Sequence, residues 1–149
     1  MIIYEELDNF DSIRHLNADA AGALCFYGEK LVLVYAKDRG IWEMPGGGRE
    51  DGETFEECIV REIKEESNMK VLELFPLGYD TVTDTKTEEK IYQIRFAAKV
   101  EPYGPFVSDP AGDITDMKLI NPDDYKKDFD WGERGDQMMK KAKEMCLKY

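Results

Sequence analysis

The sequence points to an α+β fold or a mixed sandwich, and away from a doubly wound parallel sheet. Three features argue for it. Two apolar strand patterns, Ala20–Tyr27 and Leu31–Ala36, flank the turn Gly28-Glu29-Lys30 and form a hairpin. One well-delimited helical pattern runs from Thr54 to Ser67. Strand and helix patterns then follow one another without the regular alternation that a doubly wound sheet requires.

Taken in order, Ala20–Tyr27 (AAGALCFY) reads as a buried strand and Leu31–Ala36 (LVLVYA) as its partner. Lys37–Gly40 is a loop, Ile41–Met44 a short extended piece, and Pro45-Gly46-Gly47-Gly48 a break in regular structure. Thr54 with Glu57 three residues later makes a capping-box pattern that starts the helix. Asn68 suits the left-handed residue that ends it. Val71–Leu77 and Ile91–Val100 read as strands; in the second, Ile94, Phe96 and Ala98 alternate with Arg95 and Lys99. Glu101–Gly112 is a Pro/Gly loop and Ile114–Ile120 a last strand. Pro122 opens a short helix, and Gln137–Leu147 is an amphipathic helix with Met138, Ala142, Met145 and Cys146 on one side. No internal repeat or low-complexity linker divides the chain, so a single domain over residues 1–149 is expected, with 1–17 as an N-terminal extension.

The 149 residues carry 20 Lys+Arg against 32 Asp+Glu, a formal net charge of −12, and 42% are hydrophobic. That is enough apolar material for one core. The acidic balance excludes a general nucleic-acid backbone binder and disfavours docking on an anionic membrane surface. The charge is uneven. Residues 43–66 hold nine acids and three bases, and residues 109–136 nine acids and four bases, which leaves about −1 for the rest. The start of the sequence lacks the basic and apolar runs of a secretion signal, and no apolar stretch reaches the ~20 residues of a membrane span. Cys25, Cys58 and Cys146 are odd in number and widely spaced, as expected of buried free thiols in a reducing cytoplasm. His15 is the only histidine, so a nucleophile that relies on a histidine base has one candidate partner.

The informative segment is the helix. At 100° per residue from Phe55, Cys58, Ile59 and Ile63 define an inward apolar face. Glu66 falls near 20° and Glu62 near 340°, both inside that face, and Glu65 near 280° at its edge, in the same projection. Glu56, Glu57 and Lys64 point outward, as a solvated face should. Ionised carboxylates turned toward a core repel one another and lose hydration, so they need a partner. Arg61 is one candidate; a divalent cation is the other, and hard oxygen donors favour Mg²⁺ or Mn²⁺ over zinc. The glycine run just before the helix exposes backbone groups that can approach phosphates or supply a carbonyl ligand, although glycine runs are also simple turns.

This segment resembles the Nudix hydrolase signature, Gly-x5-Glu-x7-Arg-Glu-U-x-Glu-Glu-x-Gly-U with U a bulky aliphatic residue. It reads here Gly47, Glu53, Arg61, Glu62, Ile63, Glu65, Glu66, Asn68 and Met69, and Trp42-Glu43-Met44-Pro45-Gly46-Gly47 looks like the usual lead-in. The one departure is Asn68 for the last glycine, at a helix-end position that Asn also tolerates. The resemblance, to MutT-like members, implies an α/β/α sandwich over about residues 18–148 and hydrolysis of a nucleoside diphosphate linked to another moiety. It implies that Glu62, Glu65 and Glu66 hold Mg²⁺ (or Mn²⁺), with the Gly46 carbonyl as an extra ligand. Glu53 and Arg61 would pair to fix the loop on the helix. One of the Glu-rich set or a downstream acid would activate the attacking water. Asp109, Asp113 and Asp116 lie in a stretch where family members often recruit a further acid, and Asp113-Ile114-x-Asp116 is similar to an acidic pattern of the family there, which makes Asp113 the favoured extra ligand or base; Glu88 and Glu89 are the rival, and a solvated acidic loop is the competing reading.

Base and sugar contacts are less determined. Tyr27, Trp42, Tyr79, Tyr92, Phe96 and Trp131 can stack on a base, with core packing as the competing reading. Arg39 and Arg95 can meet phosphates, with surface charge as the competing reading. A (deoxy)nucleoside triphosphate is the first substrate expected and ADP-ribose or another nucleotide sugar the second. A non-catalytic nucleotide sensor is the reading from a different class, disfavoured by the intact carboxylates. The expected partner is a small-molecule nucleotide, with no nucleic-acid polymer and no membrane, for a monomer or homodimer in the cytoplasm.

Overall fold

A computed structural model describes residues 1–108 and 112–147. The elements are β1 (Ile2–Glu6), β2 (Ala20–Tyr27), β3 (Lys30–Ala36), β4 (Ile41–Glu43), β5 (Gly46–Gly48), α1 (Phe55–Ser67), β6 (Met69–Thr83), β7 (Lys90–Pro102), β8 (Ile114–Ile120) and α2 (Gly132–Cys146), with short 3-10 turns at Asp11–Ile13 and Pro122–Lys127. The strands form one mixed sheet in the order β1-β6-β7-β2-β3-β4, with β5 paired to β2 and β8 to β3. Only β2 and β7 run parallel among these pairs.

Strand alternation divides the core into two layers. Ala21, Ala23 and Cys25 of β2 and Ile94, Phe96 and Ala98 of β7 face α1, where they meet Phe55, Cys58, Ile59 and Ile63. Leu24 and Phe26, with Leu31, Leu33 and Ala97, face α2 and meet Met138, Met139, Ala142 and Cys146. The result is the expected α/β/α sandwich. All three cysteines are free and buried, and burial pushes the Cys58 thiol up to about 11.

The local punctuation of α1 is as the sequence indicates. Glu57 N–H donates to Thr54 Oγ1 at 3.0 Å, Thr54 N–H donates to Glu57 Oε1 at 2.9 Å, and Asn68 closes the helix at φ 55°, ψ 36°. Four elements differ from expectation. Residues 46–48 do not break regular structure: they form β5, paired with Ala20–Gly22. β6 is longer than Val71–Leu77, because shifts in pairing at Val71/Glu73 and Pro76/Gly78 carry it past the proline. Gly78 lets β1 cross close by, since a Cβ there would collide with the Glu5 carbonyl. α2 begins five residues before Gln137, at Gly132.

The fourth difference is the N-terminal segment, which is built into the sheet and core. β1 pairs antiparallel with β6 from Ile2↔Val82 to Glu6↔Gly78. Lys141, buried on α2, donates to the Leu7 carbonyl at 2.6 Å and to Asp8 Oδ1 at 3.2 Å. Phe10 stands edge-on to Phe96 and Phe55, with centroids 5.1 and 6.0 Å away. Phe10→Ala is therefore expected to cost about 3–5 kcal/mol in urea unfolding, as for other fully buried aromatics. An unchanged midpoint would show that the first residues lie outside the cooperative unit.

Candidate active site

Glu62 and Glu66 sit on the buried side of α1, 9% and 7% exposed, among Ile59 and Ile63. Glu65, one position round, is more open. Burial there is possible because the glycine strand β5 lies against the helix. A Cβ on Gly47 would stand 2.5 Å from Glu62 Oε2, so any larger residue would push that carboxylate out. Gly46 N–H donates to Glu66 Oε1 at 2.8 Å. A Cβ on Gly46 would in turn meet the Ala21 carbonyl at 2.5 Å.

Arg61 gathers the acids. Its Nε and Nη2 donate to the two oxygens of Glu53 at 2.7 and 2.8 Å. Nη1 donates to Glu62 Oε1 at 2.7 Å and to Glu65 Oε2 at 3.2 Å, and Nη2 also reaches the Gly48 carbonyl at 2.9 Å. This bidentate, charge-assisted pairing holds the Glu53 carboxyl down at about 2, against an ordinary 4.5, and raises the Arg61 guanidinium so that it stays charged. Glu53 N–H donates to the Glu50 carbonyl at 3.1 Å and Glu50 N–H to Glu53 Oε1 at 2.7 Å, so the loop between β5 and α1 is tied to the same point.

Among the described residues, no three acidic, cysteine or histidine side chains already converge as the ligands of one ion. The donor set nevertheless suits a hard divalent cation. Three carboxylates and the glycine backbone supply only oxygen ligands, and two of the carboxylates already share one cationic nitrogen.

On the other face of the sheet, beside β5, lies a cavity of about 290 Å³. Arg39, Glu43, Gly46, Gln93, Arg95 and Trp131 help to line it. Arg39 donates to Glu43, whose carboxyl is pushed up by burial against the downward pull of Arg39. Arg95 Nε donates to the fully buried Asp80 at 3.0 Å, and Arg134 Nη1 reaches the same oxygen at 2.8 Å. Both guanidiniums lie on the Trp131 ring, 5.0 and 4.3 Å from its centroid.

Two predicted positions, Arg39 and Arg95, are thus brought to one cavity beside the glycine strand. Trp42 is not. Alternation along β4 turns it away from Glu43, and its ring packs on Tyr35 at 5.2 Å under Lys118 at 4.3 Å. The aromatic lining of the cavity is Trp131. Asp113 is likewise not among the residues that line it. It is exposed just before β8, its carbonyl accepts from Lys37 N–H at 3.0 Å, and no hydrogen bond or ion pair joins its carboxylate to α1 among the described residues. The β8–β3 pairing, in register from Ile114↔Ala36, fixes it there. Glu88 and Glu89 lie in the exposed turn between β6 and β7, and Asp109 falls outside the described residues. Sequence reasoning missed Glu43, Gln93, Asp80 and Arg134. The available signals were Glu43 four residues after Arg39 and Gln93 two before Arg95 on one strand face.

The family model of the NUDIX domain matches residues 16–141. The chain belongs to the Nudix family. Among curated Nudix relatives, the nucleoside triphosphatase NudI of Escherichia coli is 38% identical over a region covering 45% of this chain and 55% of its own. The chain thus spans about half the length of the curated relatives it matches. Two solved structures share the Nudix fold. The Bacillus subtilis pyrophosphohydrolase BsRppH, as a mutant, superposes with a TM-score of 0.76 at 23% identity, covering 97% of this chain and 90% of that one. The NUDIX domain of Shewanella oneidensis NrtR, complexed with ADP ribose, gives 0.66 at 17% identity, covering 91% and 92%. No helix among the described residues is long and apolar enough to cross a membrane.

The Arg61–Glu53 pair makes a prediction about acid stability. Glu53 has its pKa depressed in the folded state, so its contribution is complete above the unfolded value near 4.5 and is lost as pH falls toward about 2. In chelator, Glu53→Gln should lower the urea midpoint by a constant amount above pH 5, and the gap to the parent protein should close between pH 4.5 and 2. A gap independent of pH would remove the ion pair as its cause.

Proposed function

We propose that this chain is a divalent-metal-dependent pyrophosphohydrolase. Its substrate class is a nucleoside diphosphate linked to another moiety, with a (deoxy)nucleoside triphosphate as the first choice. One observation carries the reading. Two buried carboxylates on the apolar face of α1 back onto a glycine strand that also borders a cavity of about 290 Å³. A solvated acidic helix has no use for that arrangement. The printed name of the Escherichia coli relative, a nucleoside triphosphatase, supports the substrate choice.

Glu62, Glu65 and Glu66, with the Gly46 carbonyl, would hold Mg²⁺ or Mn²⁺. The bound ion would offset the phosphate charge and lower the pKa of a coordinated water. The chain's own residues do the positioning. Arg61 and Glu53 lock the 49–54 loop to α1. Glu66 accepts the Gly46 N–H and so fixes β5 against the helix. Gly47 leaves Glu62 the space to face the strand. One of the α1 carboxylates, or a downstream acid such as Asp113, would serve as the general base. A substrate pyrophosphate and these carboxylates are both anionic, so they can meet only across cations, and catalysis is then mainly positioning and charge neutralisation.

Phosphate release from nucleoside triphosphates, ADP-ribose and other nucleoside diphosphate derivatives with Mg²⁺ and with Mn²⁺ tests the reaction. Glu66→Gln should lower kcat by at least ~10²-fold while nucleotide binding by calorimetry persists. Turnover equal to the parent protein would remove Glu66 from the site, and nucleotide binding without hydrolysis in the parent would leave a sensor. Separately, Mg²⁺ should raise the melting temperature. Neutralising Glu62 or Glu66 should abolish that gain, and neutralising Asp124 should not. A gain that survives at both glutamates would place the ion elsewhere.

A further inference from the structure

Gln93 and Arg95 are two residues apart on β7 and so project from one face of the sheet, toward α2. In the parallel register their neighbours on β2 are Ala20 and Gly22. Those small residues open the cavity: a Cβ on Gly22 would fall 2.7 Å from Arg95 Nη1. Arg95 is held by Asp80 beneath it and by the Trp131 ring, which Arg134 also covers. Held there, Arg95 Nη2 donates to Gln93 Oε1 at 2.7 Å.

That contact fixes the polarity of Gln93. A guanidinium has donors and no acceptor, so the amide must turn its oxygen to Arg95 and its NH₂ away. The NH₂ group has no hydrogen-bond acceptor among the described residues, and Gln93 lines the cavity. A glutamine with both functions available suits adenine, which pairs a donor with an acceptor. Gln93 has its acceptor withdrawn and offers donors alone. The Glu43 carboxylate, an acceptor when ionised, lines the same cavity.

We propose that this cavity reads the keto edge of a nucleobase, with Gln93 donating to the carbonyl oxygen and Asp80, Arg95 and Arg134 as its positioning residues. Guanine and uracil each present a carbonyl beside a ring N–H, which calls for one donor and one acceptor, and this cavity is lined by both. Adenine and cytosine present an amino group beside a bare ring nitrogen, and the Gln93 NH₂ would then face another donor and remain unpaired. The inference deepens the nucleotide-hydrolase reading and rests on it for the presence of a base in this cavity.

Initial rates with Mg²⁺ on GTP, ITP and ATP, and on UTP and CTP, test it. A keto-over-amino preference in kcat/KM of about tenfold or more is expected in at least one pair. GTP over ATP, with ITP following GTP, marks a purine occupant, and UTP over CTP a pyrimidine one. Gln93→Leu and Gln93→Glu both remove the donor, the second while still accepting from Arg95, and each should bring that ratio close to one. A purely structural loss would lower the members of a pair together and leave the ratio unmoved. Calorimetric affinities for GDP against ADP, and UDP against CDP, measure the same preference without turnover. A protein that hydrolyses none of them would therefore sink the hydrolase reading while still deciding this one. Equal values within both pairs in the parent protein, or a preference that survives in both variants, would overturn the proposal.

Discussion

Arg61 is the cation around which the acidic half of the site folds. One guanidinium takes both oxygens of Glu53, one oxygen each of Glu62 and Glu65, and the Gly48 carbonyl, with Glu50 3.8 Å away. Segment 43–66 has nine acids and only three bases, and two of its carboxylates are buried. Like charges about 4 Å apart repel by roughly 4 kcal/mol at the effective dielectric of a protein surface. A helix carrying that load would turn its acids to water unless a fixed cation stood among them. Lysine would not serve as well, because a single ammonium lacks the planar fork that binds Glu53 on one side while donating to Glu62 and Glu65 on the other.

The glycine strand beside it follows from the same crowding. Gly47 gives Glu62 its room, Gly46 gives Glu66 an N–H and passes the Ala21 carbonyl without a Cβ, and together they keep β5 thin enough to separate two different environments. On one side of β5 are the α1 carboxylates. On the other is a cavity whose lining cations are already matched: Arg39 by Glu43, and Arg95 by the buried Asp80, which Arg134 shares. Cations committed in this way are fixed in direction, which suits recognition by hydrogen bonds better than the collection of loose anions.

The contrast with what the sequence conveys is physical. The inward carboxylates, the capping box, the Asn68 cap and the alternation of β7 are local periods or local hydrogen bonds, and each is readable within one element. The glycines at 46–48 read as a break because a missing side chain looks like freedom. Here it is a close approach, which only the partners Ala21 and Glu62 reveal. β1 has mostly exposed residues and no core-facing stripe, so its place comes from pairing with β6, about 75 residues away in sequence. The first turn of α2 holds Gly132 and Gly135, poor helix formers. It forms because Tyr125 binds Asp136, and Gly135 lets Trp131 and Tyr125 close over it.

Trp42 and Trp131 show the same limit at the site itself. Both are tryptophans near a glycine or a turn, and composition gives no reason to choose between them. The choice is made by a strand's two-residue period. β4 sends Glu43 to the cavity and Trp42 to Tyr35, while the residue just before α2 places Trp131 under two guanidiniums. The same period puts Gln93 beside Arg95, so that one buried carboxylate on β6, Asp80, orients through Arg95 the amide of its own cross-strand neighbour on β7. A net charge of −12 gives no hint of such a cavity, because Asp80 is counted as an acid while one of its oxygens holds two arginines in place. What an acidic chain can bind is therefore decided by which of its acids are already paired with cations inside the fold.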